Sequence, residues 1–166
     1  MHALMQKDKN AQHIDNDLLQ LVVFQLGGEE FGVDIMAVQE IIKMPPLTAI
    51  PQVPEHVTGV IDLRGRVIVV IDLGKKFNIL SSENNKDRKI IVVELEDQVI
   101  GMMVDSVSEV LRIPSASVEP APEIIVSGVF ADYIQGVGKL EDRLLILLDL
   151  RNVLSEHETK ELYQYV

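Results

Sequence analysis

Short runs of β-branched and aliphatic residues, each closed by glycine, proline or charged residues, recur along the chain. Leu19 to Leu26 is such a run, Gly27-Gly28 supplies a two-residue hairpin turn, and Phe31 to Ile35 begins the return strand. Val33 to Met44 is ambiguous by period. Its apolar positions Val33, Met36, Ala37, Ile41 and Met44 fit helical spacing moderately, but the length also suits a short helical turn followed by a strand, and that reading is adopted. Gly59 to Leu63 and Val67 to Ile71 predict a second hairpin about Arg64-Gly65, where glycine supplies the positive φ of a tight turn. Asp72 then predicts an N-cap for a short segment from Leu73 to Ile79. Near the end, Ser155 and Glu158 form a capping box that predicts a helix running toward Tyr163.

The pattern is written twice. Phe24 to Ile42 lies over Val93 to Leu111 without a gap, setting Leu26 on Leu95, Gly32 on Gly101, Val38 on Val107, Glu40 on Glu109 and Ile41 on Val110. Gly59 to Leu73 lies over Gly136 to Leu150, setting Leu63 on Leu140, Arg66 on Arg143 and Asp72 on Asp149. The blocks keep their order in each half, separated by Pro45 to Pro54 and by Pro114 to Pro122. The turn-forming stretch Ser81 to Arg88 connects the halves. Four or five short strands per unit predict two small barrels, because closure removes sheet edges. Each unit is roughly 60 to 70 residues, a size at which a lone core is marginal, so the halves are expected to pack together or share strands. The expected division is a flexible tail over 1–17, a first barrel over 18–82, a second over 83–154 and a C-terminal helix over 155–166.

Composition narrows the function. Of 166 residues, 47% are apolar and only 4% aromatic, which favours an aliphatic β interior. A net charge of -11 with no Lys/Arg cluster disfavours nucleic acid and anionic membrane surfaces as partners. The chain has no cysteine, hence no disulfide, thiolate zinc site or cysteine nucleophile, and a reducing compartment fits. Met1 to Asp17 has no apolar core of signal-peptide length. The longest apolar runs, Val67 to Ile71 and Leu144 to Leu148, fall far below the ~20 residues of a spanning helix.

Candidate chemistry is sparse. His2, His13, His56 and His157 show no metal-ligand spacing, so no metal or cofactor is expected. Gly136-Val-Gly138 lacks the third glycine of a dinucleotide fingerprint, with Glu141 in its place. Asp72 and Asp149, one from each unit, are the best enzymatic candidates and define an alternative reading as a small acid hydrolase. Their triplets, Asp72-Leu-Gly74 and Asp149-Leu-Arg151, lack the Asp-Thr-Gly context of such enzymes, and helix caps are the simpler role. A barrel binding a small ligand is a third class, but no aromatic or polar cluster marks a pocket. Val38, Val107, Ile41 and Val110 are either core or interface, and Glu40 and Glu109 are ordinary solvated positions on the simplest reading. At the second hairpin Arg64-Gly65 stands against Glu141-Asp142, so the turn itself does not dictate Arg64.

The blocks Phe24-x-Leu-Gly-x-Glu-x-Phe-Gly-Val-Asp-Ile-x-x-Val-Gln-Glu-Ile-Ile42 and Gly59-Val-Ile-Asp-Leu-Arg-Gly-x-Val-x-x-Val-Ile-Asp-Leu73 resemble those of the CheW family of chemotaxis coupling proteins. Val99-x-Gly-x-x-Val-Asp-x-Val-Ser-Glu-Val-Leu111 and Pro120-x-Pro-Glu123 continue a likeness that covers roughly Leu18 to Leu154. Asp62 stands where the family usually has Asn before Leu-Arg-Gly. The resemblance implies an all-β fold of two SH3-like five-stranded β-barrels around a shared hydrophobic interface, with short helices and no enzyme activity. It also implies a cytoplasmic adaptor, monomeric alone, in receptor arrays at the inner face of the membrane. There it would bridge the regulatory domain of a CheA histidine kinase and the cytoplasmic hairpin tip of methyl-accepting chemoreceptors, the tip lying in a groove between the subdomains. By position, the resemblance puts Val38, Glu40, Ile41 and Gly59 on the kinase side, and Arg64, Gly101, Val107 and Val110 on the receptor side.

Overall fold

The computed structural model describes residues 17–79, 85–120 and 132–153. The first half runs β1 (Leu18–Leu26), β2 (Glu29–Asp34), a 3-10 turn (Ile35–Ala37), β3 (Val38–Lys43), β4 (Val57–Leu63), β5 (Arg66–Asp72) and α1 (Leu73–Lys76). The second runs β6 (Lys89–Leu95), β7 (Gln98–Val104), β8 (Ser106–Pro114), a 3-10 turn (Ser115–Ser117), β9 (Val118–Glu119), β10 (Ile134–Lys139), β11 (Leu144–Leu148) and α2 (Leu150–Val153), with its 3-10 turn after the third strand and one extra short strand. The ambiguous stretch is thus a helical turn followed by a strand. Residues 1–16 of the expected tail and the helix beginning at Ser155 lie outside the described residues.

Pairing does not follow the halves. One sheet has the order β8-β1-β2-β11-β10-β9 and the other β3-β6-β7-β5-β4. Each opening hairpin, β1–β2 or β6–β7, is therefore inserted between strands of the opposite half. Its first strand pairs antiparallel with that half's third strand, β1 with β8 and β6 with β3. Its second pairs parallel with that half's last long strand, β2 with β11 and β7 with β5. The boundary expected near residue 82 divides the sequence repeats, while each sheet is built from both sides of it.

This arrangement explains the near-continuous apolar runs. Strand side chains alternate between faces, and here both faces are buried. Leu21 and Val23 of β1 point into their own sheet's core with Ile113, Leu145 and Leu147, whereas Val22, Phe24 and Leu26 enter the core between the sheets. In the other sheet, Ile90 and Val92 of β6 join Ile61, Ile68 and Val70, whereas Ile91 and Val93 face the central core. Phe31 lies at the centre, 5.9 Å from Phe24 and 6.5 Å from Phe77 between ring centroids.

The hairpin turns are close variants of one geometry. Gly27 and Gly28 have φ of 58° and 89°, and Glu96 and Asp97, their counterparts between β6 and β7, have 49° and 68°. Two consecutive positive φ values match the twist of flanking antiparallel strands. Asp72 caps α1 as expected, its Oδ1 accepting the Lys75 N–H at 3.1 Å.

Candidate protein-binding site

Glu40 and Arg64 meet at the place where the five-stranded sheet curls back on itself. Glu40 lies on outer strand β3, and Arg64 is the first residue of the β4–β5 turn. Arg64 Nη1 donates to Glu40 Oε1 at 3.1 Å, and Nη2 donates to Oε2. This fork-on-fork geometry holds the Glu40 carboxyl below the usual glutamate range and raises the guanidinium further. Arg64 has φ of 53°, Gly65 has 85°, and the Gly65 N–H donates to Asp62 Oδ1 at 2.8 Å. Asp62 therefore supplies the turn-closing acceptor.

Arg64 is more constrained than a comparison of turn charges implies. It occupies a left-handed conformation uncommon for a residue with a Cβ, whereas neither Glu141 nor Asp142 has a positive φ. The two turns differ in backbone, so the second is no control for the first. Both glutamates remain solvent-accessible, as expected, and each is also ion-paired. Arg143, at the foot of β11, places Nε 2.7 Å from Glu30, Nη2 3.2 Å from Glu109 and Nη1 3.2 Å from Asp142. Partial burial lowers the Arg143 pKa, but Glu30, Asp142 and Glu109 outweigh it and the net shift is upward. This ion cluster ties β2 of the first half to β8 and β11 of the second.

The other sequence candidates separate by exposure. Ile41 on β3 and Val110 on β8, equivalent in the repeat, are 39% and 52% exposed and are not core residues. Val38 and Val107 are half-buried and pack against the central core. Gly59 and Gly101 are buried, so neither offers a side chain or an open surface to a partner. A Cβ at Gly59, whose φ is 152°, would stand 2.3 Å from the Thr48 carbonyl oxygen, because Thr48 and Val60 exchange two backbone hydrogen bonds there at 2.9 Å. A Cβ at Gly101 would meet Ile90 Cγ2 at 2.8 Å.

Asp72 and Asp149 cap separate helices. Asp149 Oδ1 accepts the Arg151 N–H at 3.0 Å, as Asp72 does for Lys75, and among the described residues no hydrogen bond joins the two aspartates. The shared-proton arrangement required of an aspartic acid hydrolase is not built.

Sequence reasoning missed an apolar feature at the start of the first half. Met36 is 88% exposed on the 3-10 turn and lines a cleft of about 520 Å³ with Asp34, Leu95, Leu148 and Arg151. Leu18, also exposed, lines a neighbouring hollow with Met36. Asp105 falls on Met36 in the repeat register, but the second half has no 3-10 turn there, so the feature has no structural counterpart in the other half.

The CheW-like domain model matches residues 20–158. The chain belongs to the CheW family. It is 37% identical over 139 residues to the chemotaxis protein CheW of Klebsiella aerogenes, covering 84% of this chain and 83% of that protein. It is 34% identical over 154 residues to the chemotaxis protein CheW of Helicobacter pylori, covering 91% and 92%. The crystal structure of the scaffolding protein TtCheW from Thermoanaerobacter tengcongensis matches with a TM-score of 0.76 at 37% identity, over 86% of this chain and 91% of that one. Family membership makes the protein a non-enzymatic chemotaxis adaptor with the SH3-like β fold, and the hydrolase alternative is dropped.

Proposed function

We propose that this CheW-family protein couples methyl-accepting chemoreceptors to a CheA histidine kinase through protein–protein contacts alone. The observation that carries this reading is the exposure of Ile41 and Val110 at repeat-equivalent outer-strand positions, each next to an ion-paired glutamate. An apolar centre with a charged rim is the usual anatomy of a protein interface. Val38, Glu40 and Ile41 serve the kinase's regulatory domain, with Gly59 acting through the backbone approach that shapes β4. Arg64, Val107 and Val110 serve the receptor's hairpin tip, with Gly101 keeping β7 tightly packed beneath.

The Glu40–Arg64 pair then joins a kinase-side residue to a receptor-side one. The adaptor works in the cytoplasm within receptor arrays at the inner face of the membrane. No helix among the described residues is long and apolar enough to cross a membrane. Repetition raises effective concentration, so contacts of micromolar strength, about 8 kcal/mol, suffice. The test is retention of the cognate kinase regulatory domain and of receptor cytoplasmic fragments on the immobilised protein. Retention of both at tens of micromolar is expected, and retention of neither sinks the reading.

A further inference from the structure

The chain contains no cysteine, so its sulfur chemistry rests on six methionines. Met102 and Met103 on β7 are buried, one in the central core and one in the core of the five-stranded sheet. Met44, just after β3, is half-buried against that second core. Met1 and Met5 lie outside the described residues. Among the described methionines only Met36 stands open to solvent, 88% exposed in the middle of the Ile35–Ala37 turn. The turn is held at both ends, because Asp34 Oδ1 accepts the Met36 N–H at 2.9 Å and the Val38 N–H donates to the Ile35 carbonyl. A firmly held backbone therefore presents a thioether that no core packing shields.

Its position gives that exposure a consequence. Met36 forms the lip between the cleft walled by Leu95, Leu148 and Leu150 and the hollow that holds Leu18. It also precedes Val38 by two residues, at the start of the strand that carries the kinase-side set. A thioether in such a place makes adaptable apolar contacts. Oxidation changes that character, since a sulfoxide is polar and chiral and presents a hydrogen-bond acceptor where a partner's apolar group would lie.

We infer that Met36 is a modification site for hydroperoxides and, resting on the proposed coupling role, that its sulfoxide weakens docking of the kinase's regulatory domain. In the step, the Met36 Sδ lone pair attacks one oxygen of hydrogen peroxide. The S–O bond forms as the O–O bond breaks, and the departing hydroxide takes the remaining hydroxyl proton and leaves as water. Sulfur gives up two electrons and the peroxide takes them. A thiol-dependent sulfoxide reductase reverses the change, two thiols becoming a disulfide while the oxygen leaves as water. The fold itself does not feel the oxidation, because the Met36 side chain packs in none of the three buried clusters.

The full-length chain is treated with graded hydrogen peroxide, the peroxide is removed, and the sites are mapped by peptide mass spectrometry. Met36 is expected to gain oxygen before Met44, Met102 and Met103, with an unchanged thermal midpoint. Calorimetric titration of the oxidised protein should show about a fivefold loss of affinity for the kinase regulatory domain. Sulfoxide reductases acting on both epimers, supplied with dithiothreitol, should restore it. In Met36→Leu the ratio of affinities before and after peroxide should be about one, although the other methionines are still present. Oxidation of Met102 or Met103 ahead of Met36 overturns the inference. So does complete Met36 sulfoxide with unchanged affinity, and so does an equal peroxide loss in Met36→Leu. If the untreated protein does not bind the kinase domain, the coupling role fails and the docking half falls with it. Equal binding before and after peroxide leaves the coupling role standing and sinks the methionine switch alone.

Discussion

Arg64, at φ 53° on the β4–β5 turn, grips both carboxylate oxygens of Glu40 on β3. The pair spans the seam of its sheet in the open, with 71% of the Arg64 side chain exposed, so solvent screens it. Arg64→Glu sets two carboxylates against each other without disturbing core packing. The variant is expected to fold with a nearly unchanged thermal midpoint and to lose receptor-fragment affinity by about tenfold. Unchanged affinity and unchanged kinase control in the reconstituted ternary complex count against a receptor role.

The same pair sets a pH dependence. Arg64 lowers the Glu40 pKa in the folded state, so the folded chain binds fewer protons there than the unfolded one. The stabilisation is complete above the ordinary glutamate value of about 4.3 and is lost as pH falls through the lowered folded value. Urea denaturation of wild type and Glu40→Gln is expected to show only a small stability difference at pH 7, one that closes below pH ~4 and shrinks with salt. A difference that grows with acidity contradicts the pairing.

Ile41→Thr and Val110→Thr keep the β-branched shape at exposed strand positions, so each should cost at most about 1 kcal/mol of stability. Ile41→Thr is expected to weaken the kinase regulatory domain by about fivefold or more, and Val110→Thr the receptor fragment by a similar factor. Calorimetric titration of each variant against each partner reads this. Equal losses for both partners would remove the division into two sides.

Gly59 and Gly65 separate packing from backbone strain. Gly65 has φ of 85° with open space around a would-be Cβ, whereas at Gly59 that atom would overlap the Thr48 carbonyl. Gly65→Ala should cost about 1 kcal/mol from backbone strain alone. Gly59→Ala should cost about 3 kcal/mol, because strand β4 must part from the Thr48 backbone. Any loss of kinase binding in Gly59→Ala should follow its unfolded fraction, which circular dichroism at the binding temperature measures.

Phe31 lies fully buried between Phe24 and Phe77 at the junction of the sheets. Phe31→Ala is expected to destabilise the protein by about 3–5 kcal/mol. The loss should appear as one cooperative transition reported alike by probes in both sheets, because neither sheet is complete without strands from each half. Separate transitions for the two sheets would contradict this coupling.

The sequence by itself determined the strands, the turns and the duplication, because these rest on short-range rules. Apolar runs, glycines at positive φ and an aspartate before Leu73 are readable within a few residues. Family membership was legible for the same reason, in motifs that are contiguous in the chain. Which strand pairs with which was not legible. β3 and β8 are copies of one element, so β1 could pair with either by local preference, and the tertiary structure decided for β8. The physical reason is connection geometry: the three-residue turn Ile35–Ala37 carries the chain from β2 directly into β3 of the other sheet. The same distant choices buried Gly59 and Gly101, left Ile41 and Val110 in solvent, and brought Glu40 to Arg64 across 24 residues of chain. Exposure and ion pairing depend on what the rest of the fold places opposite a residue, and no local pattern in the chain contains that.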